Sequence, residues 1–114
     1  MKKIEAIVRP EKVDEVRGAL DKAGYPGVTI TEVEGHGKQK GVTRQWRGES
    51  YKVDLLPKVK LEIVVHDGDM EKILQAIAKA AKTNGGAVGD GKIFVTTVQE
   101  ALRIRTGERG DAAI

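Results

Sequence analysis

The clearest strand signal in the chain is VKLEIVV, from Val59 to Val65. Apolar residues occupy every second position of this segment, and Lys60, Glu62 and Val64 stand between them. This alternation is typical of a strand that buries one of its two faces. The segment is therefore predicted to be a strand whose apolar face lies against a core.

A helix is predicted directly after this strand. Asp67 or Asp69 can cap its first turn, and the Asn-Gly-Gly sequence at 84–86 ends it. Apolar residues recur at helical spacing on one face of this segment: Met70, Ile73, Leu74, Ile77 and Ala81. Lys92 to Val98 follows and is predicted to be a strand.

The N-terminal third of the chain also contains strands around a helix. Lys2 to Val8 is predicted to be a strand, and so is Val28 to Val33, which is rich in β-branched residues. Between them Pro10 permits a helix start and Gly24 can end it. The apolar positions of this helix are Val13, Val16, Leu20 and Ala23. The resulting order, β-α-β-β-α-β, is that of the ferredoxin-like fold of the α+β class.

Two helices can cover only one face of the predicted four-stranded sheet. The alternate residues on the other face include four apolar side chains: Ile7, Val64, Phe94 and Val98. An apolar face that its own chain does not cover predicts self-association.

The composition indicates a single domain, residues 1–114, with an aliphatic core. Hydrophobic residues make up 39% of the 114 residues and aromatic residues only 4%, and the absence of Cys excludes disulfides and thiolate metal sites. The 20 basic and 17 acidic residues give a net charge of +3, which makes no case for nucleic-acid binding. No 18-residue apolar run or signal-peptide pattern is present, so we expect a cytoplasmic protein.

The segment between the second and third predicted strands, about residues 36–57, is predicted to be a long mobile loop. It shows no burial pattern, and its basic residues outnumber its only acids, Glu49 and Asp54. Loops longer than about 12–15 residues are uncommon in compact domains and are mostly functional or disordered. We therefore expect anionic ligands or protein partners to order this loop.

Three motifs outside the predicted core each have two interpretations. Gly89–Lys92, which reads GDGK, is either a turn or a phosphate cradle, and it is not a Walker loop because a strand follows it. The glycine-rich segment 35–41 is either a hinge or a second anion-binding loop. Arg103 and Arg105 are either a solvated pair or phosphate contacts.

Other chemical signals are weaker. Tyr51 lies in a polar setting and is either a site of covalent modification or docking, or an ordinary surface aromatic. His36 and His66 show no metal-ligand spacing, so no histidine metal site is expected. The sequence offers no supported general base and no Ser-His-Asp arrangement, so these signals do not indicate an enzyme.

Taken together, these segments closely resemble the PII nitrogen-regulatory signal proteins. The resemblance covers Met1 to Ile114. It rests on five segments that occur in the same order along the chain as in the family. They are Lys2-Lys3-Ile4, TEVEGHGKQKG (31–41), RGESYKVDLLPKVKLEIVV (47–65), GDGKIFV (89–95) and RIRTGERGDAAI (103–114).

The resemblance implies a homotrimer with nucleotide sites in the three clefts between subunits. ATP and ADP would compete there, and 2-oxoglutarate would bind together with Mg-ATP. The implied nucleotide positions are Thr29, Gly37, Lys38, Gln39, Glu62, Val64, Gly89, Asp90, Gly91, Lys92, Arg103 and Arg105. Thr29, Glu62 and Val64 would hold the base and ribose, and the two arginines would come from the neighbouring subunit. The implied 2-oxoglutarate positions are Gln39, Lys40, Gly41 and Lys58, and Gln39 would also bind Mg²⁺.

The resemblance further implies a non-enzymatic signal protein that acts by binding other proteins in nitrogen assimilation or ammonium transport. The partners would be ammonium channels or nitrogen-metabolism enzymes and regulators, and a membrane would be reached only through such a channel. Arg47, near the loop tip, would enter the channel, and Tyr51 would be a modification site. The basic loop would be drawn toward the ATP-Mg-2-oxoglutarate complex and released with ADP, which would make it an order–disorder switch.

The sequence departs from the family pattern at two places. The stretch 83–88, within the second nucleotide loop of about 83–91, is about two residues longer than usual, and Ala87 replaces a common Lys. In the long loop, Trp46 and Glu49-Ser50 replace commoner residues, and Glu49 occupies the position of a Ser that some relatives phosphorylate. Two alternatives therefore stay open, an adenylate-binding paralogue without a 2-oxoglutarate response and a weak ATPase. The C-terminal segment, about 99–114, shows no clear periodicity.

Overall fold

The computed structural model describes residues 1–36, 42–46, 49–53 and 55–114, with only the backbone described at 42–46 and 49–53. Its elements are, in chain order, β1 (Lys2–Val8), α1 (Val13–Lys22), β2 (Thr29–Gly35), β3 (Val42–Trp46), β4 (Glu49–Val53), β5 (Leu56–Val65), α2 (Met70–Ala81) and β6 (Lys92–Thr97). Short 3₁₀ turns lie at Pro10–Lys12, Asp67–Asp69 and Gly110–Ala113.

The main sheet has four antiparallel strands in the order β2-β5-β1-β6. Strands β1 and β5 form its centre, where Ile4 pairs with Ile63 and Glu5 with Glu62. With β3 and β4 set aside, this order and the two helices confirm the predicted ferredoxin-like α+β fold.

The core lies between the two helices and one face of this sheet. It is aliphatic, as the composition predicted, because no aromatic residue is among the buried side chains of the described residues. Its buried members are Ile4, Ala6, Val8, Val16, Leu20, Val59, Leu61, Ile63, Val65, Ile73, Ile77 and Ala81. Burying a branched aliphatic side chain contributes about 1.5–3 kcal/mol, so this layer holds both helices to the sheet.

The opposite sheet face is more open, as the alternation predicted. Ile7 and Val64 are partly exposed and Phe94 is 52% exposed, whereas their neighbours on the other face are buried or packed against the core. Val98 lies just beyond the end of β6. Self-association through this face remains a prediction.

The residues predicted to cap or end the helices do so only in part. Gly24 ends α1 with a positive φ of 91°, which a residue with a side chain rarely adopts. The predicted cap of α2 is wrong, because neither Asp67 nor Asp69 makes a side-chain cap hydrogen bond. The Asp67 carboxylate accepts from the N-terminal amine at 2.8 Å instead, and Asp69 accepts from the hydroxyl of Tyr25.

The long loop was predicted without regular structure, and this is wrong for a large part of it. Strands β3 and β4 pair as a separate antiparallel ribbon, with Val42 opposite Val53 and Trp46 opposite Glu49. A two-stranded ribbon is joined by backbone hydrogen bonds and needs no buried face, so its sequence carries no alternation to detect. Strand β5 also begins at Leu56, three residues before the predicted start.

No helix among the described residues has both the length and the apolar character needed to cross a bilayer.

Candidate functional site

A cleft of about 550 Å³ opens at one end of the main sheet. The last residues of β1 and β2 and the first residues of β5 and β6 meet there, because antiparallel strands place alternate ends at the same edge. The cleft is lined by Ile7, Gly35, His36, Leu56, Lys58, the loop 87–91, Lys92 and Phe94. The structure thus brings the GDGK motif next to the start of the glycine-rich segment 35–41.

The glycines of the GDGK motif are required by the backbone. Gly91 has a φ of 104°, and a Cβ atom built there would lie 1.7 Å from the carbonyl oxygen of Ile7. Gly89 has a φ of 102°. A side chain at position 91 would therefore collide with β1 as well as strain the loop.

The carboxylate of Asp90 is bonded within its own loop. It accepts from the hydroxyl of Thr83 at 2.8 Å, from the amides of Thr83 and Ala87 at 3.0 Å each, and from Nε of Arg9 at 3.0 Å. Burial acts to raise the pKa of Asp90, but the hydrogen bonds from Ala87, Thr83 and Arg9 outweigh it and hold the pKa well below its ordinary value. Asp90 therefore shapes the loop. It also lines the cleft, and the nucleotide contact that the resemblance implies for it remains a prediction.

Arg9 is the residue at this site that the sequence analysis missed. Its side chain is only 15% exposed, and Nη2 donates to the carbonyl oxygen of Val88 at 2.9 Å in addition to the bond to Asp90. The β1–β6 register pairs Ile7 with Lys92, and its continuation sets position 9 against position 90. That register was the available signal, because a single arginine after a strand forms no motif.

Lys58 brings a cation into the cleft from β5. Its Nζ donates to the carbonyl oxygen of Gly89 at 2.7 Å, and the side chain is partly buried. Burial, followed by the nearby positive charge of Arg9, lowers the pKa of Lys58 below its ordinary value. The lysine implied to bind 2-oxoglutarate thus lies against the glycine loop.

The positions implied to hold base and ribose lie elsewhere on the sheet. Thr29 pairs with Glu62 across β2 and β5, and neither lines the cleft among the residues described. Glu62 is bound by Lys3 at 2.8 Å and by Lys60 at 3.4 Å, and the hydrogen bond from Lys3 is the main cause of its lowered pKa.

Val64, the third of these positions, lines a separate pocket of about 560 Å³ that also contains Tyr25, His66 and Ile114. Among the described residues, this pocket and the cleft share no lining residue.

Arg103 and Arg105 also lie away from the cleft. Arg103 pairs with Glu108 at 3.1 Å across a turn in which Leu102 bridges to Arg109, and Arg105 is exposed. Between the two arginines, Ile104 is 96% exposed. The chain presents these cations at its surface.

Several predicted site residues lie outside the described part of the structure: Gly37, Lys38, Gln39, Lys40, Gly41 and Arg47. Tyr51 belongs to β4, where only the backbone is described. Within the described residues no group of three or more His, Cys, Asp or Glu side chains is placed to hold a metal ion. The implied Mg²⁺ position at Gln39 remains a prediction.

Comparison with known proteins confirms the resemblance. The family model described as nitrogen regulatory protein P-II matches residues 1–108. Nitrogen regulatory protein P-II 2 of Methanothermobacter thermautotrophicus is 54% identical over 114 residues, which cover 100% of this chain and 97% of the relative. Nitrogen regulatory protein P-II of Rhodospirillum rubrum and that of Azospirillum brasilense are each 56% identical over the full length of both chains.

Proposed function

This chain belongs to the nitrogen regulatory protein P-II family, and we propose that it is a cytoplasmic sensor of ATP, ADP and 2-oxoglutarate. Membership itself supports the coarser statement, a signalling role in nitrogen regulation and not catalysis. The ligands, the assembly and the partners are the finer part of the proposal.

The cleft beside the GDGK motif is the observation that carries the proposal. Lys58 and Lys92 line it together with the backbone of the glycine loop. Glycine-rich loops let backbone N–H groups approach an anion closely, and nearby cations offset its charge. A nucleotide polyphosphate has the charge and the length to contact several of these groups at once.

In the proposed complex this cleft holds the phosphates, and Gly89, Gly91 and Lys92 contact them. Gly37, Lys38 and Gln39 approach from the first glycine-rich segment. The base and ribose bind the Thr29, Glu62 and Val64 surface, which lies apart from the cleft in a single chain. The site therefore needs a second subunit, which also brings Arg103 and Arg105, and a homotrimer meets that need in three equivalent clefts.

2-Oxoglutarate is the proposed second effector. Lys58 pairs with one of its carboxylates, and Gln39, Lys40 and Gly41 bind the rest of the molecule. The side-chain oxygen of Gln39 is a ligand type that suits Mg²⁺, which would offset charge between the triphosphate and the dicarboxylate. Lys58 already donates to Gly89, so the two ligand positions share one hydrogen-bonded group.

Signalling in this proposal runs through the segment that contains β3 and β4. Ligands in the cleft change the conformation of this segment, and ammonium channels or nitrogen-metabolism enzymes and regulators recognise that conformation. Arg47 is the residue proposed to enter a channel, and Tyr51 is the proposed modification site.

A second candidate is an adenylate sensor that does not respond to 2-oxoglutarate. It is favoured by Ala87, which lines the cleft at a position where the family commonly has a Lys and so brings no cation. The longer 83–88 stretch lies beside it. The two candidates differ only in the second effector.

Calorimetric titration of the full chain separates these functions. Binding of ATP and ADP is expected, and absence of both would reject the proposal. 2-Oxoglutarate is then titrated with and without Mg-ATP, and heat only in the presence of Mg-ATP supports the full sensor. Adenylate binding without any 2-oxoglutarate response assigns the second candidate. Sustained phosphate release on a time scale of seconds would favour the ATPase.

A further inference from the structure

Arg9 binds the glycine loop at two points. Its Nε lies 3.0 Å from Asp90 Oδ1 and its Nη2 lies 2.9 Å from the carbonyl oxygen of Val88. Its Nη1 is 3.9 Å from the exposed Glu11. Arg9 is not among the described residues that line the cleft. One guanidinium therefore holds two points of the loop.

The Asp90 carboxylate extends these hydrogen bonds over the whole loop. It accepts from the amide and hydroxyl of Thr83 and from the amide of Ala87, so it ties the start of the segment 83–90 to its end. The longer 83–88 stretch lies inside this closed ring. One carboxylate therefore holds the extra residues of this loop in place, and Arg9 donates a hydrogen bond to that carboxylate.

The bond to Val88 also fixes a peptide plane. A trans peptide unit is planar, so its C=O and N–H groups point in opposite directions. Holding the carbonyl of Val88 toward Arg9 therefore directs the N–H of Gly89 away from Arg9. Planar guanidinium geometry supplies two donors at fixed angles, which a lysine ammonium does not reproduce.

From these contacts we infer that Arg9 is a positioning residue for nucleotide phosphates and acts through Asp90 and Val88. It preorganises the glycine loop, so that binding does not have to order the loop first. This inference rests on the proposed function, because it assigns the phosphates to that loop.

The first test compares ADP affinity of the full chain with that of Arg9→Met by calorimetry. Losing the two charge-assisted bonds should weaken ADP binding on the order of tenfold. Arg17→Met, which removes the same charge from an exposed position of α1, is the matched control and should bind ADP as the parent does. Unchanged affinity in Arg9→Met would overturn the inference.

Two further variants separate positioning from direct contact. Arg9→Lys keeps the charge, so it should remain as weak as Arg9→Met if fork geometry matters, and full recovery would contradict the inference. On an Asp90→Asn background, Arg9→Met should cause a smaller loss than it does alone, because the two residues act as a unit. An equal loss on both backgrounds would identify Arg9 as a direct ligand contact.

Hydrogen exchange without any ligand gives an independent readout. The amides of Thr83 and Ala87 are bonded to Asp90, and their exchange should be faster in Arg9→Met while the amides of β1 and β5 stay protected. Unchanged exchange at both positions would overturn the inference. If the parent chain binds neither ATP nor ADP, the proposed function fails, and this measurement still decides whether Arg9 orders the loop. Protection in Arg9→Lys is measured if Arg9→Met does not fold.

Discussion

Two regions with proposed phosphate-binding cations are built in opposite ways. In the glycine loop at 83–92, a partly buried carboxylate accepts four hydrogen bonds, and Arg9 and Lys58 hold two neighbouring carbonyls. In the C-terminal segment, Arg103 is paired with Glu108 between partly exposed side chains. The loop is set before any ligand arrives, whereas the C-terminal arginines can exchange partners at little cost, since exposed ion pairs contribute about 0–1 kcal/mol.

Gly91→Ala should have the largest effect, because it changes the backbone of the glycine loop directly. The new Cβ would meet the carbonyl of Ile7 at 1.7 Å on a backbone with φ of 104°. We expect the free energy of unfolding to fall by about 3 kcal/mol or more, measured by urea denaturation, and ADP binding to be lost.

The matched control is Gly18→Ala, at a helical position with nothing within 4 Å of the added Cβ. It should be neutral or stabilising by about 0.5–1 kcal/mol. A Gly91→Ala variant as stable as this control would mean that the loop is not set by β1.

Lys58→Ala should have the next largest effect, and on one ligand only. Loss of the cation should weaken 2-oxoglutarate binding in the presence of Mg-ATP by about tenfold or more. ADP affinity should stay nearly unchanged, because Arg9 and Asp90 still hold the loop. Calorimetry with both ligands measures the effect, and Lys79→Ala on the exposed side of α2 is the control. Equal weakening of both ligands would contradict the separate role of Lys58.

Asp90→Asn should lower the melting temperature at pH 7 by about 5 °C, because the neutral amide loses the charge that strengthens these bonds and has one acceptor oxygen where the carboxylate has two. The pKa of Asp90 is lowered in the folded chain, so its contribution is fully present above the ordinary value of about 4 and is lost as the pH falls below that value. The difference between parent and variant should therefore shrink from pH 7 to pH 3 in thermal melts.

Asp21→Asn, the same substitution on the exposed face of α1, is the matched control in these melts. A difference between parent and Asp90→Asn that stays constant down to pH 3 would mean that the ionised carboxylate does not hold the loop.

Glu108→Gln should have the smallest effect, and it tests the C-terminal segment that contains Arg103 and Arg105. Breaking an exposed pair with Arg103 should change the melting temperature by less than about 4 °C. Freed from Glu108, Arg103 should bind phosphate slightly better, so ADP affinity should stay the same or rise about twofold. A large fall in stability or affinity would show that the C-terminal segment is as firmly set as the glycine loop.

The sequence predicted those elements whose burial leaves a periodic pattern. Val59 to Val65 and the apolar face of α2 are examples, because each side chain there has one choice between core and solvent. The β3–β4 ribbon was missed because its sequence shows no such periodic pattern. The predicted cap of α2 failed because Tyr25 and the N-terminal amine bind the two carboxylates, and those partners lie far away in sequence.

The candidate site was predictable to a similar degree. The glycine motif was singled out because glycines beside a lysine carry a recognisable chemistry, whereas Lys58 was named only through the family resemblance. The structure places both at one cleft. Arg9 was not found because its role depends on strand register. The bond from Arg9 to Asp90 was hidden for the same reason, and the other partners of Asp90, Thr83 and Ala87, lie in the loop that follows α2.

Strands β2 and β5 remain paired up to Gly35 and Leu56, just where the chain departs toward the β3–β4 ribbon. This pairing gives distance spectroscopy a fixed reference point. Spin labels at the exposed, opposed positions Glu34 and Pro57 should report one separation in every ligand state. Any change measured from that pair to a label in the ribbon can then be assigned to the ribbon itself.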